Sequence, residues 1–126
     1  MIDYVLDAAA ALSPASVTVV VGHQAEAVRA ALAGRMNLGF TLQEPQLGTA
    51  HALLMAEPRL KNARGLVVLL SGDVPLLRGD TLVRLVGHHR ATSASMTVLS
   101  TTVENPAGYG RLIRWNGRLT GIVEDR

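Results

Sequence analysis

The apolar positions of the chain change period repeatedly, and each change marks an element. Tyr4, Ala8, Ala11 and Leu12 share one helical face, so residues 2–12 are expected to form a helix that Ser13-Pro14 ends. "SVTVVV" follows, a β-branched run without alternation, the pattern of a strand buried on both faces. "GHQAEAVRAALAG" returns to the helical period. Ala25, Val28 and Leu32 line one side, and Gly34 suits the left-handed position beyond the end. "LGFTL" predicts a second strand, "GTAHALLMA" the start of a third helix, and "GLVVLL" another fully buried strand. After "SGDVPLL" comes a helix with Leu82, Leu85, Val86 and His89 on one side, then the longer strand-like run "SMTVLSTTV".

The tail has a different pattern. In "RLIRWNGRLTGIVED" the pair Asn116-Gly117 separates two strand-like runs, the strongest short-range hairpin signal. Strand and helix alternate through the body, and an antiparallel addition closes it. That order predicts a three-layer α/β fold, with a mostly parallel, Rossmann-like sheet, right-handed crossovers and a C-terminal antiparallel hairpin. The chain opens on a helix with no strand before it and stops directly after a strand. The expectation is therefore a single partial domain over residues 1–126.

Composition narrows the function classes. The 126 residues are 48% hydrophobic and 17% charged, enough apolar material for one core and too little length for two. Net charge is +2 with the basic residues dispersed, so the pI of 9.7 reflects a small excess of arginine rather than a nucleic-acid surface. Aromatics at 3% leave few stacking platforms for single strands. Without cysteine there is neither a disulfide framework nor a thiolate metal site, which fits a cytoplasmic protein. No apolar run reaches the length of a membrane span. Asp3 and Asp7 interrupt the opening stretch, which reads as an amphipathic helix and not as a signal peptide.

Ligands of open parallel sheets bind beyond the carboxyl ends of the strands. Three polar clusters fall at such ends: Gly22-His23-Gln24, Gln43 through Thr49, and Ser71-Gly72-Asp73. Asp73 follows the most apolar strand. Its carboxylate suits a hard divalent cation such as Mg2+, which typically takes one or two carboxylates plus substrate phosphates; the same residue type also serves as a plain turn residue. Gly72 permits close backbone approach. Thr49 stands as a natural N-cap at the mouth of the third helix. Gln43 offers an amide with donor and acceptor, suited to a base edge such as that of uracil, although a solvent-facing loop amide reads the same way. His51 is a lone helical histidine. His88 and His89 are adjacent and point to different faces, so no zinc site is assigned. In "NPAGYGRLIR", Gly108 and Gly110 flank Tyr109 and allow approach to a sugar or phosphate, or merely enter the hairpin. No Walker sequence, G-x-G-x-x-G or G-x-S-x-G occurs.

With these clusters in hand, the chain resembles the uridylyltransferase domain of the bacterial bifunctional N-acetylglucosamine-1-phosphate uridylyltransferase/glucosamine-1-phosphate acetyltransferase family. "QLGTAHA", "GDVPLL" and "GYGRL" followed by "GIVED" stand in that family's order and at compatible spacing, and "VVVGHQAEAV" is similar to its second strand and helix. The resemblance implies that Gln43, Gly48 and Thr49 read the uracil of UTP or UDP-N-acetylglucosamine. It places Ser71, Gly72 and Asp73 beside the ribose and phosphates, with Asp73 holding Mg2+; the family often has an aromatic where Ser71 stands. It assigns Gly110 and Glu124 to the amino sugar. The implied reaction joins UTP and N-acetylglucosamine 1-phosphate and releases pyrophosphate, for peptidoglycan and lipopolysaccharide precursors. The partners are small molecules, with no nucleic acid and no membrane.

The departures are equally specific. The family opens with a strand, a glycine-rich loop and a Pro-Lys pair that cradle the triphosphate, and Met1 falls within its first helix. The acetyltransferase domain, through which the family trimerises, has no counterpart here. The resemblance thus implies a chain holding the base and part of the sugar but lacking the phosphate clamp, and nearly inactive alone. It also implies a strand-wide gap between "SVTVVV" and "GLVVLL", unless these pair directly. The alternatives are a related sugar-1-phosphate nucleotidyltransferase using another base or sugar, and a non-catalytic nucleotide-binding module.

Overall fold

The computed structural model describes residues 1–123. Residues Met1–Ala94 form one compact unit and Ser95–Arg126 a second.

In the first unit, α1 (Ile2–Ala10) lays Val5 and Ala8 inward. Tyr4 stands at the edge of that arc and is 64% exposed, so the predicted helix forms but Tyr4 does not belong to its buried face. The orientation of α1 is held by Arg35, whose Nε donates to Asp3 Oδ1 at 2.8 Å and whose Nη2 donates to Asp7 Oδ1 at 2.7 Å. Asp3 and Asp7 are one turn apart and meet a single guanidinium.

β1 (Val17–Val21) and β2 (Leu38–Leu42) pair in parallel, from Val17 opposite Leu38 to Val21 opposite Leu42. The crossover is α2 (Ala25–Ala31), as a parallel pair requires. Val19, Val21 and Leu32 form the core there, with Ile2, Leu6, Ala25, Val28, Leu38 and Phe40 packed against it. Gly34 does not take the expected left-handed conformation. The chain leaves α2 through short turns (Leu32 to Arg29, Ala33 to Ala30, Arg35 to Leu32), and the left-handed residue is Asn37 at φ 63°. α3 (Thr49–Leu60) packs on both strands through a face that buries Ala56. α4 (Gly79–Thr92) packs on α1 and buries Leu82 completely. Leu85, Val86 and His89 are half-buried on that side, as their spacing predicts.

The parallel sheet is present, but it has two strands. Residues 66–70, expected as a fully buried strand, form no ladder, and Leu66, Val67 and Leu69 are 45%, 58% and 53% exposed. The reason is geometric. A strand needs a neighbour about 4.8 Å away, and β1 is instead separated from this segment by a groove of about 1270 Å³ lined by both. No described segment fills the space, and the two do not pair directly, which is the gap outcome of the sequence expectation.

In the second unit, 96–103 likewise form no strand, and Met96 and Leu99 are exposed. The hairpin is as predicted: β3 (Arg111–Trp115) and β4 (Arg118–Val123) are antiparallel. Asn116 at φ 48° and Gly117 at φ 76° supply the two positive angles of the turn. No helix among the described residues is long and apolar enough to cross a membrane.

Candidate functional site

The site is built where β2 ends. Gln43 N–H donates to Val21 O at 2.7 Å, extending the β1–β2 ladder by one step before the chain turns away. Gln46 then packs over Gly22, at the end of β1. A Cβ on Gly22 would lie 2.7 Å from Gln46 Cδ, so a side chain there would displace the Gln46 amide from the end of β1. The loop closes at Gly48, whose φ of 92° and ψ of −177° belong to a region open essentially to glycine alone.

Gly48 is also the cap residue of α3, and no side chain caps that end. Thr49 is therefore the first helical residue and not the N-cap that its sequence position suggests. Its hydroxyl is not spent on capping. The Gly48 carbonyl accepts twice: from Ala52 N–H at 3.1 Å, the first helical bond, and from Gln43 Nε2 at 2.9 Å. Gln43 Nε2 also lies 3.1 Å from His51 Nδ1. A strand end, a glycine and a helix start are thus tied together by one half-buried amide.

Ser71, Gly72 and Asp73 follow the 66–70 segment and are exposed. They line the same cleft as Gln43, Gln46, Gly48 and Thr49. Six of the residues singled out in the sequence (Gln43, Gly48, Thr49, Ser71, Gly72 and Asp73) therefore share one groove within one unit. Gly110 belongs to the second unit, and Glu124 lies outside the described residues. His23 and Gln24 are exposed beside β1 and are not among the groove's lining residues.

Three features of the groove escape sequence reasoning. Gln46 lays its side chain over Gly22 at the end of β1. Arg64 and Arg90 line the cleft and bring positive charge to it. His51 contacts the Gln43 amide, and only its spacing of eight residues, across a loop into a helix, hints at that.

Asp73 is the one carboxylate among the groove's lining residues. Among the described residues no cluster of three or more His, Asp or Glu stands ready for a metal. The donor set fits an ion that arrives with a polyphosphate and takes one protein carboxylate, the usual habit of Mg2+. It does not fit an ion caged by protein alone.

Comparison with known proteins identifies the family. Residues 1–117 match the family described as the MobA-like NTP transferase domain. The curated relatives include the Bifunctional protein GlmU of Pelobacter propionicus, 49% identical over 100% of this chain and 28% of the relative. That of Geobacter metallireducens is 45% identical over 100% of this chain and 27% of the relative. That of Anaeromyxobacter dehalogenans is 47% identical over 98% of this chain and 26% of the relative. The chain spans little more than a quarter of the length of these relatives. The resemblance carried by "QLGTAHA" and "GDVPLL" is thus matched along the whole chain, and the chain belongs to the MobA-like NTP transferase domain family.

Proposed function

We propose that the groove is the nucleotide site of a uridylyltransferase that makes UDP-N-acetylglucosamine from UTP and N-acetylglucosamine 1-phosphate. The observation that carries the reading is the convergence of Gln43, Gly48 and Thr49 with Ser71, Gly72 and Asp73 on one cleft beside the end of β2. Gln43 and Gly48 would hold the base edge, with Thr49 beside them. Ser71 and Gly72 would lie along the ribose and phosphates. In the reaction a phosphate oxygen of the sugar 1-phosphate attacks the α-phosphorus of UTP. The bond from that phosphorus to the bridging oxygen breaks, and pyrophosphate leaves with the electron pair. Such transfers depend on positioning and charge neutralisation. Mg2+, when bound, would neutralise phosphate oxygens, with Asp73 as its protein ligand. Arg64 and Arg90 add charge from the lining.

The same reading takes residues 1–126 as one nucleotidyltransferase domain of three layers, with Gly110 and Glu124 on the amino sugar. It places the parent enzyme in the cytoplasm, serving cell-wall precursor synthesis as a trimer held through another domain. It also expects these residues on their own to turn over negligibly.

Calorimetric titration with UTP, CTP, dTTP and GTP, with and without Mg2+, tests the assignment. Preference for UTP, with its Mg2+ dependence lost in Asp73→Ala, is the expected result. Preference for dTTP or GTP would move the chain to a related sugar-1-phosphate nucleotidyltransferase. Asp73→Ala binding UTP with unchanged Mg2+ dependence would favour a non-catalytic binding module. Pyrophosphate release at an ordinary enzymatic rate by the purified chain would refute the low-turnover expectation.

A further inference from the structure

We infer that His51 is a positioning residue that removes a hydrogen-bond donor from the groove, so that Gln43 meets its ligand as an acceptor only. The inference rests on the uridine-nucleotide reading for its ligand, but its geometry stands apart from it.

The Gly48 carbonyl can only accept, so the Gln43 atom 2.9 Å from it must be the amide nitrogen. That nitrogen has a second N–H, and His51 Nδ1 lies 3.1 Å away. A neutral imidazole accepts at Nδ1 only when its proton is on Nε2. With that tautomer both N–H groups of Gln43 are occupied, one on Gly48 and one on His51. Oε1 keeps its lone pairs and has no partner among the described residues. Gly48 alone would fix which end of the amide faces the loop, yet it would leave one N–H free. His51 occupies that N–H.

The chemical consequence is selectivity for a base edge that presents a ring N–H, as uracil does, over one that presents an unprotonated ring nitrogen, as cytosine does. A lone acceptor rewards the first and leaves the second without a donor. Sites that read a polar group in this way reject analogues lacking it, because a buried group is left unpaired.

Two measurements test this, and the first needs no ligand. Long-range nitrogen–proton NMR of the purified chain, at a pH where His51 is neutral, should show the proton on Nε2. Gln43→Leu should release that preference and give mixed tautomers. A native His51 with its proton on Nδ1 would overturn the inference whatever the chain binds. The second compares UTP, CTP and N3-methyl-UTP. His51→Ala should reduce the preference for UTP over CTP by about fivefold, roughly the value of one hydrogen bond. His51→Asn, whose Oδ1 can accept from Gln43, should restore it. A native chain that prefers UTP while His51→Ala leaves the ratio unchanged would sink the inference and spare the uridine reading. A native chain with the expected tautomer but equal affinity for UTP and N3-methyl-UTP would sink the uridine reading and keep the positioning role.

Discussion

Gly48 concentrates three tasks in one residue. Its backbone angles turn the loop, its carbonyl starts α3, and the same carbonyl holds Gln43. Open space surrounds the position where a Cβ would stand, so substitution meets no neighbour and the penalty is purely conformational. Gly48→Ala is expected to cost about 1–3 kcal/mol. It should also weaken nucleotide binding more than stability alone explains, because the carbonyl that orients Gln43 moves with it. Urea denaturation beside calorimetric titration separates the two effects. Asp80 illustrates a different residue-scale device. Arg78 donates to both of its carboxylate oxygens, at 3.1 and 3.0 Å, and this lowers its pKa below the ordinary aspartate value. A lowered folded-state pKa means that the contribution to stability is present above the unfolded value and is lost as pH falls through the folded one. The pair is exposed, so its effect is small. Asp80→Asn should slightly flatten the acid limb of a melting-temperature profile, and a steeper acid limb would contradict the sign.

At the scale of elements, two contacts decide how the first unit holds together. Gly79 begins α4 where it meets α1, and a Cβ there would fall 2.7 Å from Ala11 Cβ and 3.3 Å from Ala8 O. Backbone cannot retreat as a flexible side chain does. Gly79→Ala should push the two helices apart and cost about 1–3 kcal/mol, the usual range for overpacking; a neutral melting temperature would contradict that packing. β1 offers a second test. Because Val21 O accepts from Gln43 N–H, Val17, Val19 and Val21 direct their backbone groups to β2, and Thr18 and Val20 direct theirs to the groove. Amide exchange should therefore be fast at Thr18 and Val20 and slow at Val19 and Val21. These elements also show what sequence pattern encodes. The helices, the first two strands and the hairpin are legible because periodicity and turn chemistry are local. The fate of 66–70 is not, since its run of Leu and Val says that a strand is favoured but not whether a partner lies beside it. The site divides in the same way: Gln43, Gly48 and Asp73 stand out at strand ends, whereas the seating of Gln46 on Gly22 joins residues far apart in sequence.

For the molecule as a whole, the balance between core and exposed apolar surface sets the behaviour. Among the described residues the buried hydrophobics are few, and only Leu32 and Leu82 are large and fully enclosed. Yet Leu66, Val67 and Leu69 stand open along the groove. The two groups should respond to mutation in opposite ways. Leu32→Ala removes packing from the centre of the β1–β2 core and should cost about 2–5 kcal/mol. That is a large share of the roughly 5–15 kcal/mol that holds a typical domain together, so the helical circular dichroism should melt at a markedly lower temperature. Val67→Thr keeps the shape and adds a hydroxyl. On an exposed segment it should change stability by no more than about 0.5 kcal/mol, and it should reduce binding of an apolar dye. In a strand buried on both faces the same hydroxyl would carry a desolvation cost of about 1–3 kcal/mol. The measured difference between Val67→Thr and Leu32→Ala therefore reports which sheet exists in solution. Near-neutral stability at Val67 supports the two-stranded sheet with its open groove. A penalty approaching that of Leu32→Ala would mean that 66–70 has joined a larger sheet and that the groove has closed.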